Sequence, residues 1–289
     1  MLVRRSVGVA LAGLLGLVLA VSTAVTASAT PAPTWLTYVN MGDSYSAGAG
    51  IVPVVPTAPP RCSQSTLNWG HVLASAKGYR LTDVSCSGAE TKDFRNRQYP
   101  ETPPQLDALS ASTTLVTLTI GGNDSSVFTN AITQCGAAAA RTAGQGSPCQ
   151  AMYGDSFVRT IKSTTYPSVV RALKDVRARA PKARVAISGY LQILPKSKGC
   201  YPIVPIAVDD VPYLDTIEKT LNDAVRRAAS QTGATFLDQS TTSAGHDACQ
   251  PVGTRWVEPI VGSTNYIPVH PNALGEKAMA DRAAAVLRL

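Results

Sequence analysis

Histidine is scarce in this chain, with three in 289 residues, and the six cysteines include no C-x-x-C pair. The ligand spacings of a structural or catalytic zinc site are therefore missing. Beyond residue 30 no apolar run is long enough to span a bilayer. No block of like charge occurs either. The formal net charge of +7 is spread out, and Arg171, Lys174, Arg177, Arg179, Lys182 and Arg184 alternate with apolar residues. That spacing describes a solvated helix face and gives no nucleic-acid patch. No internal repeat or low-complexity linker divides the sequence, so one domain is the economical reading.

The N-terminus reads as an export signal. MLVRR is basic, residues 6–27 are apolar or small and uncharged, and Ala27-Ser28-Ala29 has the A-x-A form of a signal-peptidase site. The apolar run is also long enough for a membrane anchor, but the cleavage motif favours a signal peptide over 1–29 and a secreted domain over 30–289. No cysteine precedes the site, so lipid anchoring has no support. All six cysteines, Cys62, Cys86, Cys135, Cys149, Cys200 and Cys249, follow it. An even number in an exported chain predicts disulfides. Sequential pairing closes the shortest loops, and the sequence leaves the connectivity open.

Short apolar runs alternate with helical patterns. LTYVNM (36–41), YRLTDVSC (79–86), TTLVTLTIGG (113–122), ARVAISGY (183–190) and ATFLD (234–238) read as five strands. The third is β-branched throughout and ends in two glycines, as a buried central strand does. Helices are predicted over 66–78, 156–181 with a break near Pro167, 211–233 closing at Gly233, and 273–289. Strands alternating with helices predict an α/β fold with a parallel sheet covered on both faces. The loops at 48–65, 86–112 and 239–271 lack periodicity and would form walls or disulfide-pinned excursions.

In such sheets ligands gather at the carboxyl ends of the strands. Ser44 follows the first strand, Gly88 the second and Asn123 the third. Acyl transfer needs an activated hydroxyl, a base and donors for the developing oxyanion. Ser44 offers the hydroxyl, Gly88 a close backbone approach, Asn123 a neutral amide, and His270, in PVHPNALG, a base. Each alone has an ordinary explanation as a turn, cap or packing residue. Co-location at strand ends sets them apart. The nucleophile elbow G-x-S-x-G is absent, because residues 42–46 are Gly-Asp-Ser-Tyr-Ser. His71 and His246 read as structural, and Asp43 and Asp124 as turn-stabilising acids. Tyr45 and Trp256 are candidate pocket walls.

The chain resembles the SGNH, or GDSL, hydrolase superfamily, and within it secreted actinobacterial lipases and esterases. Four blocks in order carry the resemblance: GDSYSAG (42–48), CSGAET (86–91), GGND (121–124) and HPNALGEKAMA (270–280). It implies a three-layer α/β/α sandwich with a five-stranded parallel sheet, the flavodoxin-like fold. It implies Ser44 as nucleophile, His270 as base, and an oxyanion hole of the Ser44 and Gly88 backbone N–H groups with the Asn123 side chain. It implies the pairing Cys62–Cys86, Cys135–Cys149 and Cys200–Cys249. No metal or organic cofactor is implied.

The resemblance has one departure. The superfamily usually places Asp three residues before the histidine, and here that position is Ile267. The expectation is a Ser44–His270 dyad oriented by the main-chain carbonyl of Ile267, with the Pro268 carbonyl second and Asp247 as the rival acid. Asp247 is read as a loop acid beside Cys249. The expected activity is carboxylic-ester hydrolysis, as a lipase or esterase. Phospholipase and polysaccharide deacetylase are the alternatives within the superfamily, and a binding module with a vestigial site the alternative outside it. The partner is a small-molecule or lipid ester, with transient contact to a lipid interface, no nucleic acid, and a monomer as the default.

Overall fold

The computed structural model describes Leu2 and residues 36–289. Leu2 apart, the expected leader over 1–29 lies outside the described residues. Five strands, β1 (Thr37–Gly42), β2 (Arg80–Asp83), β3 (Leu115–Thr119), β4 (Arg184–Ser188) and β5 (Thr235–Leu237), form one sheet in the order β2-β1-β3-β4-β5. Every pairing is parallel, with Tyr38 opposite Leu115 and Gly42 opposite Thr119. The order reverses beside β1, and in doubly wound sheets the crevice at that switch point receives the ligand.

The helices are α1 (Ser44–Ala47), α2 (Trp69–Lys77), α3 (Val127–Arg141), α4 (Pro148–Tyr153), α5 (Ser156–Thr160), α6 (Tyr166–Arg179), α7 (Val211–Thr232) and α8 (Ala273–Leu287). Strand side chains alternate between two faces. Tyr38, Leu115, Ala186 and Leu237 join Trp69, Leu73, Met279 and Ala283 of α2 and α8 in one core. Val39, Met41, Val116, Leu118 and Ile187 join Val169, Leu173, Val176 and Val225 of α6 and α7 in the other. Every residue of β3 is buried, which accounts for its unbroken β-branched and apolar sequence.

Local signals set the helix ends. The Asn68 side chain accepts from His71 N–H at the start of α2, and Asn272 accepts from the N–H groups of Leu274 and Gly275 at the start of α8. Gly233 closes α7 with φ +70°. Two expectations change. Pro167 does not end the helical run: a wider π-type turn over Ile161–Thr165 joins α5 to α6 just before it, with Thr165 and Tyr166 both helical, and the irregular turn coincides with the missing proline N–H. Helix α3 was not expected. Val127, Ala131, Cys135, Ala138 and Ala139 are its buried positions, a face built mostly of small side chains.

Three disulfides, Cys62–Cys86, Cys135–Cys149 and Cys200–Cys249, pair the cysteines as the resemblance implies. The first ties the loop after α1 to the loop after β2, and the second ties α3 to α4. No helix among the described residues is long and apolar enough to cross a membrane.

Candidate active site

Ser44 is the first residue of α1, one residue beyond the strand-ending turn. The turn is narrow. A Cβ on Gly42, whose φ is +111°, would lie 2.1 Å from the Thr119 carbonyl oxygen, so only glycine fits. The Gln105 side chain accepts from Gly42 N–H at 2.7 Å and donates to its carbonyl at 3.0 Å. Asp43 caps α1 by accepting from Tyr45 N–H, and it also accepts from the Thr119 hydroxyl and the Tyr190 phenol. Burial pushes the Asp43 carboxyl up to about 6, against the pull of those bonds. Asp43 thus holds the turn, as the sequence suggested.

His270 Nε2 lies 2.8 Å from Ser44 Oγ, and Nδ1 lies 2.8 Å from the carbonyl oxygen of Pro268. A carbonyl only accepts, so Nδ1 carries the proton. Nε2 is then an unprotonated acceptor facing the serine hydroxyl, the tautomer a general base needs. Burial holds the His270 pKa below its usual value, with the Pro268 carbonyl opposing. The imidazole also packs against Tyr45 and Phe128.

The orienting carbonyl is that of Pro268 and not of Ile267. Val269 adopts φ +59°, which doubles the chain back and returns the Pro268 oxygen to the ring. The Ile267 backbone faces Gly50 instead: a Cβ there would stand 2.9 Å from Ile267 N and 3.0 Å from its oxygen. Asp247 accepts from Cys249 N–H and the Gln250 amide and serves its own loop.

A residue that sequence reasoning passed over stabilises this segment. Glu258 pairs through its backbone with Val269 N–H and His270 C=O, both at 2.9 Å. Its carboxylate, 1% exposed, accepts from Arg255 in a two-point pair, from Asn272 and from Thr264 N–H. Burial raises its pKa, and these donors outweigh burial and bring it below the usual value. The R-x-x-E spacing within RWVE was the available signal, but nothing in sequence said that the pair is buried.

The oxyanion candidates converge on the same edge. Among the described residues neither Ser44 N–H nor Gly88 N–H has an acceptor. Asn123 Nδ2 donates to the Ala89 carbonyl at 3.1 Å, leaving its second N–H free. Asp124 accepts from the Thr91 N–H and hydroxyl, both at 2.8 Å, and so ties the Gly88 loop to the Asn123 loop. Tyr190 Oη accepts from Gly122 N–H at 2.8 Å and donates to Asp43. His71 bonds Asn68, and His246 bonds the Thr254 carbonyl and stacks on Trp256. Tyr45 thus lines the base, whereas Trp256 partners a different histidine.

An apolar pocket of about 50 Å³ lies between α3 and α7, lined by Phe128, Ile132, Tyr190, Leu194 and Leu221, with Glu218 in its wall; Phe128 is also the ring that packs on His270. Phe128 and Tyr190, two of its wall residues, both pack on Tyr45, the residue after Ser44.

Residues 41–278 match the model of the GDSL-like Lipase/Acylhydrolase family. The chain is 54% identical over 283 residues to Lipase 2 of Streptomyces coelicolor, covering 97% of this chain and 95% of the relative. Among solved structures, an extracellular lipase from Streptomyces rimosus matches with a TM-score of 0.70 and 25% identity, covering 87% of this chain and 99% of that one. A phospholipase A1 from Streptomyces albidoflavus matches with a TM-score of 0.69 and 26% identity, covering 87% and 97%.

Proposed function

The chain belongs to the GDSL-like lipase/acylhydrolase family and is a carboxylic-ester hydrolase; from that premise we propose that it works through an acyl-enzyme on Ser44, with His270 as base and no side-chain acid behind the imidazole. The observation that carries the reading is the Ser44 Oγ–His270 Nε2 contact of 2.8 Å with the opposite ring nitrogen committed to a carbonyl.

His270 Nε2 takes the Ser44 proton as Oγ attacks the ester carbonyl. The oxygen of the tetrahedral intermediate accepts from Ser44 N–H, Gly88 N–H and Asn123 Nδ2. The imidazolium, held by the Pro268 carbonyl, returns its proton to the alcohol oxygen as the C–O bond breaks. Water then attacks the acyl-serine while Nε2 takes its proton, and the acid leaves as Ser44 is regenerated.

The pocket between α3 and α7 takes the start of the acyl chain. Its volume of about 50 Å³ compares with the ~10–15 Å³ that one water needs, so it encloses a few carbons, and a longer chain continues outside. A small acyl site also suits acetyl removal. The likeness to a phospholipase A1 supports phospholipid as the second substrate class. Secretion is supported by the three disulfides. Exposed Val52, Val54 and Tyr266 flank the segment joined by the Tyr266 N–H to Gly50 bond and suit transient contact with a lipid surface. The site is complete in one chain, which suits a monomer.

A panel of p-nitrophenyl esters of graded acyl length, a phospholipid and an acetylated glycan tests the reading. Wild-type turnover should be greatest on short to medium acyl esters and should vanish in Ser44→Ala. Turnover by Ser44→Ala at the wild-type rate would refute it.

A further inference from the structure

The Gly88 N–H is a useful donor only while one peptide bond keeps its orientation. Ala89 N–H donates to the Cys86 carbonyl at 3.0 Å, closing a four-residue turn over 86–89. Gly88, the third residue, has φ +78°, and Ser87 is not among the residues with positive φ. That combination is a type II turn. Type I and type II turns differ by a flip of the central peptide, here Ser87–Gly88. In a trans peptide the C=O and N–H point in opposite directions. A flip would therefore carry the Gly88 N–H away from Ser44 while leaving the rest of the turn in place. Glycine accepts either form, and a Cβ on Gly88 would meet only Gln98 Nε2 at 3.5 Å, so crowding at this position does not choose between them.

A single side chain grips the outer end of that peptide. Gln98 Nε2 donates to the Ser87 carbonyl at 2.8 Å. The amide cannot be reversed, because its oxygen would then face another oxygen. This choice leaves Gln98 Oε1 buried with no partner, an expense that native proteins seldom carry without a return. The next peptide is held from the inner side by Asn123 Nδ2 on the Ala89 carbonyl. Ser87 N–H is held by the Cys62 carbonyl at 3.0 Å. The Ser87 carbonyl is thus the one contact that reports the flip, and Gln98 is what holds it.

We propose that Gln98 is a positioning residue for catalysis: by holding the Ser87 carbonyl it keeps the Cys86–Ala89 turn in its type II form and the Gly88 N–H in the oxyanion hole. The proposal rests on the reading of Gly88 as an oxyanion donor. Gln98 touches neither Ser44 nor His270, so its influence passes entirely through the peptide.

The test is Gln98→Met, which keeps length and volume and removes the donor, with Gln98→Lys restoring a donor. Loss of a whole oxyanion donor costs ~10²–10³ in kcat, and a peptide that flips part of the time costs a fraction of that, so Gln98→Met should lower kcat by about tenfold or more. KM and the acid limb of the pH profile should not move, affinity for a phosphonate analogue of the tetrahedral intermediate should fall in proportion to kcat, and Gln98→Lys should recover most of the loss. Gly88→Ala, which disfavours φ +78°, should produce the same defect, and adding Gln98→Met to it should cost little more. Wild-type kcat and analogue affinity in Gln98→Met would overturn the proposal while Ser44→Ala remained inactive, leaving the reading of Ser44 intact. Full additivity of the two variants would overturn it as well.

Discussion

His270 Nδ1 donates to the carbonyl of Pro268, two residues earlier in the same loop, at 2.8 Å. A neutral acceptor thus occupies the place where many serine hydrolases put a carboxylate. The carbonyl fixes the tautomer and the ring plane, as a carboxylate would, but it offers the imidazolium a dipole in place of a full opposing charge. The consequences for pH, for the supporting loop and for tolerance to mutation differ accordingly.

The first consequence concerns pH. Burial lowers the His270 pKa, so the imidazole stays neutral below the ~6.5 of a free histidine. The acid limb of kcat/KM should have its midpoint below that value. The stability contribution has the matching sign: a depressed histidine pKa stabilises the fold above the unfolded value, and this is lost as pH falls through the folded one. A pH–rate profile with an acid midpoint at or above ~6.5 would contradict the assignment.

Asp247 should be dispensable and Glu258 should not. Asp247→Asn removes bonds within its own loop and should leave the acid limb where it is. Glu258→Gln leaves buried Arg255 without its partner, and breaking such a pair costs about 3–5 kcal/mol. Thermal unfolding and kcat should both fall in Glu258→Gln. The Glu258 pKa is depressed, so its contribution is present above the unfolded carboxyl value and is lost as pH drops through the folded one. A pH profile that shifts in Asp247→Asn would reopen the carboxylate alternative.

Gly50→Ala should damage catalysis through the loop that carries the base. Its Cβ would press on Ile267 N and O at 2.9 and 3.0 Å, with φ +99° adding strain. Steady-state kinetics should give a reduced kcat in a protein that still folds, because the displaced residue, Ile267, directly precedes Pro268, whose carbonyl holds His270. An unchanged kcat would mean that this contact does not set the imidazole.

The acyl pocket should respond to alkali. Burial pushes the Glu218 carboxyl up to about 8, against the bond from Ile193 N–H; Asp215 and Asp247 raise it further and Lys219 opposes. At neutral pH the wall is uncharged, and above about 8 it becomes anionic. KM for apolar short-chain esters should therefore rise through that range, and Glu218→Gln should abolish the rise. The linkage runs the same way: a raised carboxyl pKa favours the fold below the unfolded value, and that advantage is lost as pH rises through the folded pKa.

How much of this was legible in sequence depended on whether a signal was local. The five strands, their parallel arrangement and the cap at Gly233 follow from patterns a few residues long. Ser44, Gly88, Asn123 and His270 could be singled out because strand ends and distinctive blocks mark them. The Pro268 carbonyl was ranked behind that of Ile267, since the reversal that presents it depends on Val269 at φ +59°, which a β-branched residue rarely adopts. Glu258 and Gln98 act through main-chain groups of other segments, and no spacing rule reports such bonds. Helix α3 was passed over although its buried positions, Val127, Ala131, Cys135 and Ala138, recur at helical spacing.

Peptide mapping by mass spectrometry after treatment with a fluorophosphonate identifies the nucleophile. One stoichiometric adduct is expected, on Ser44, forming far more slowly in His270→Ala and in parallel with loss of ester hydrolysis. An adduct on another residue, or full hydrolytic activity in protein whose Ser44 is completely modified, would contradict Ser44 as the nucleophile.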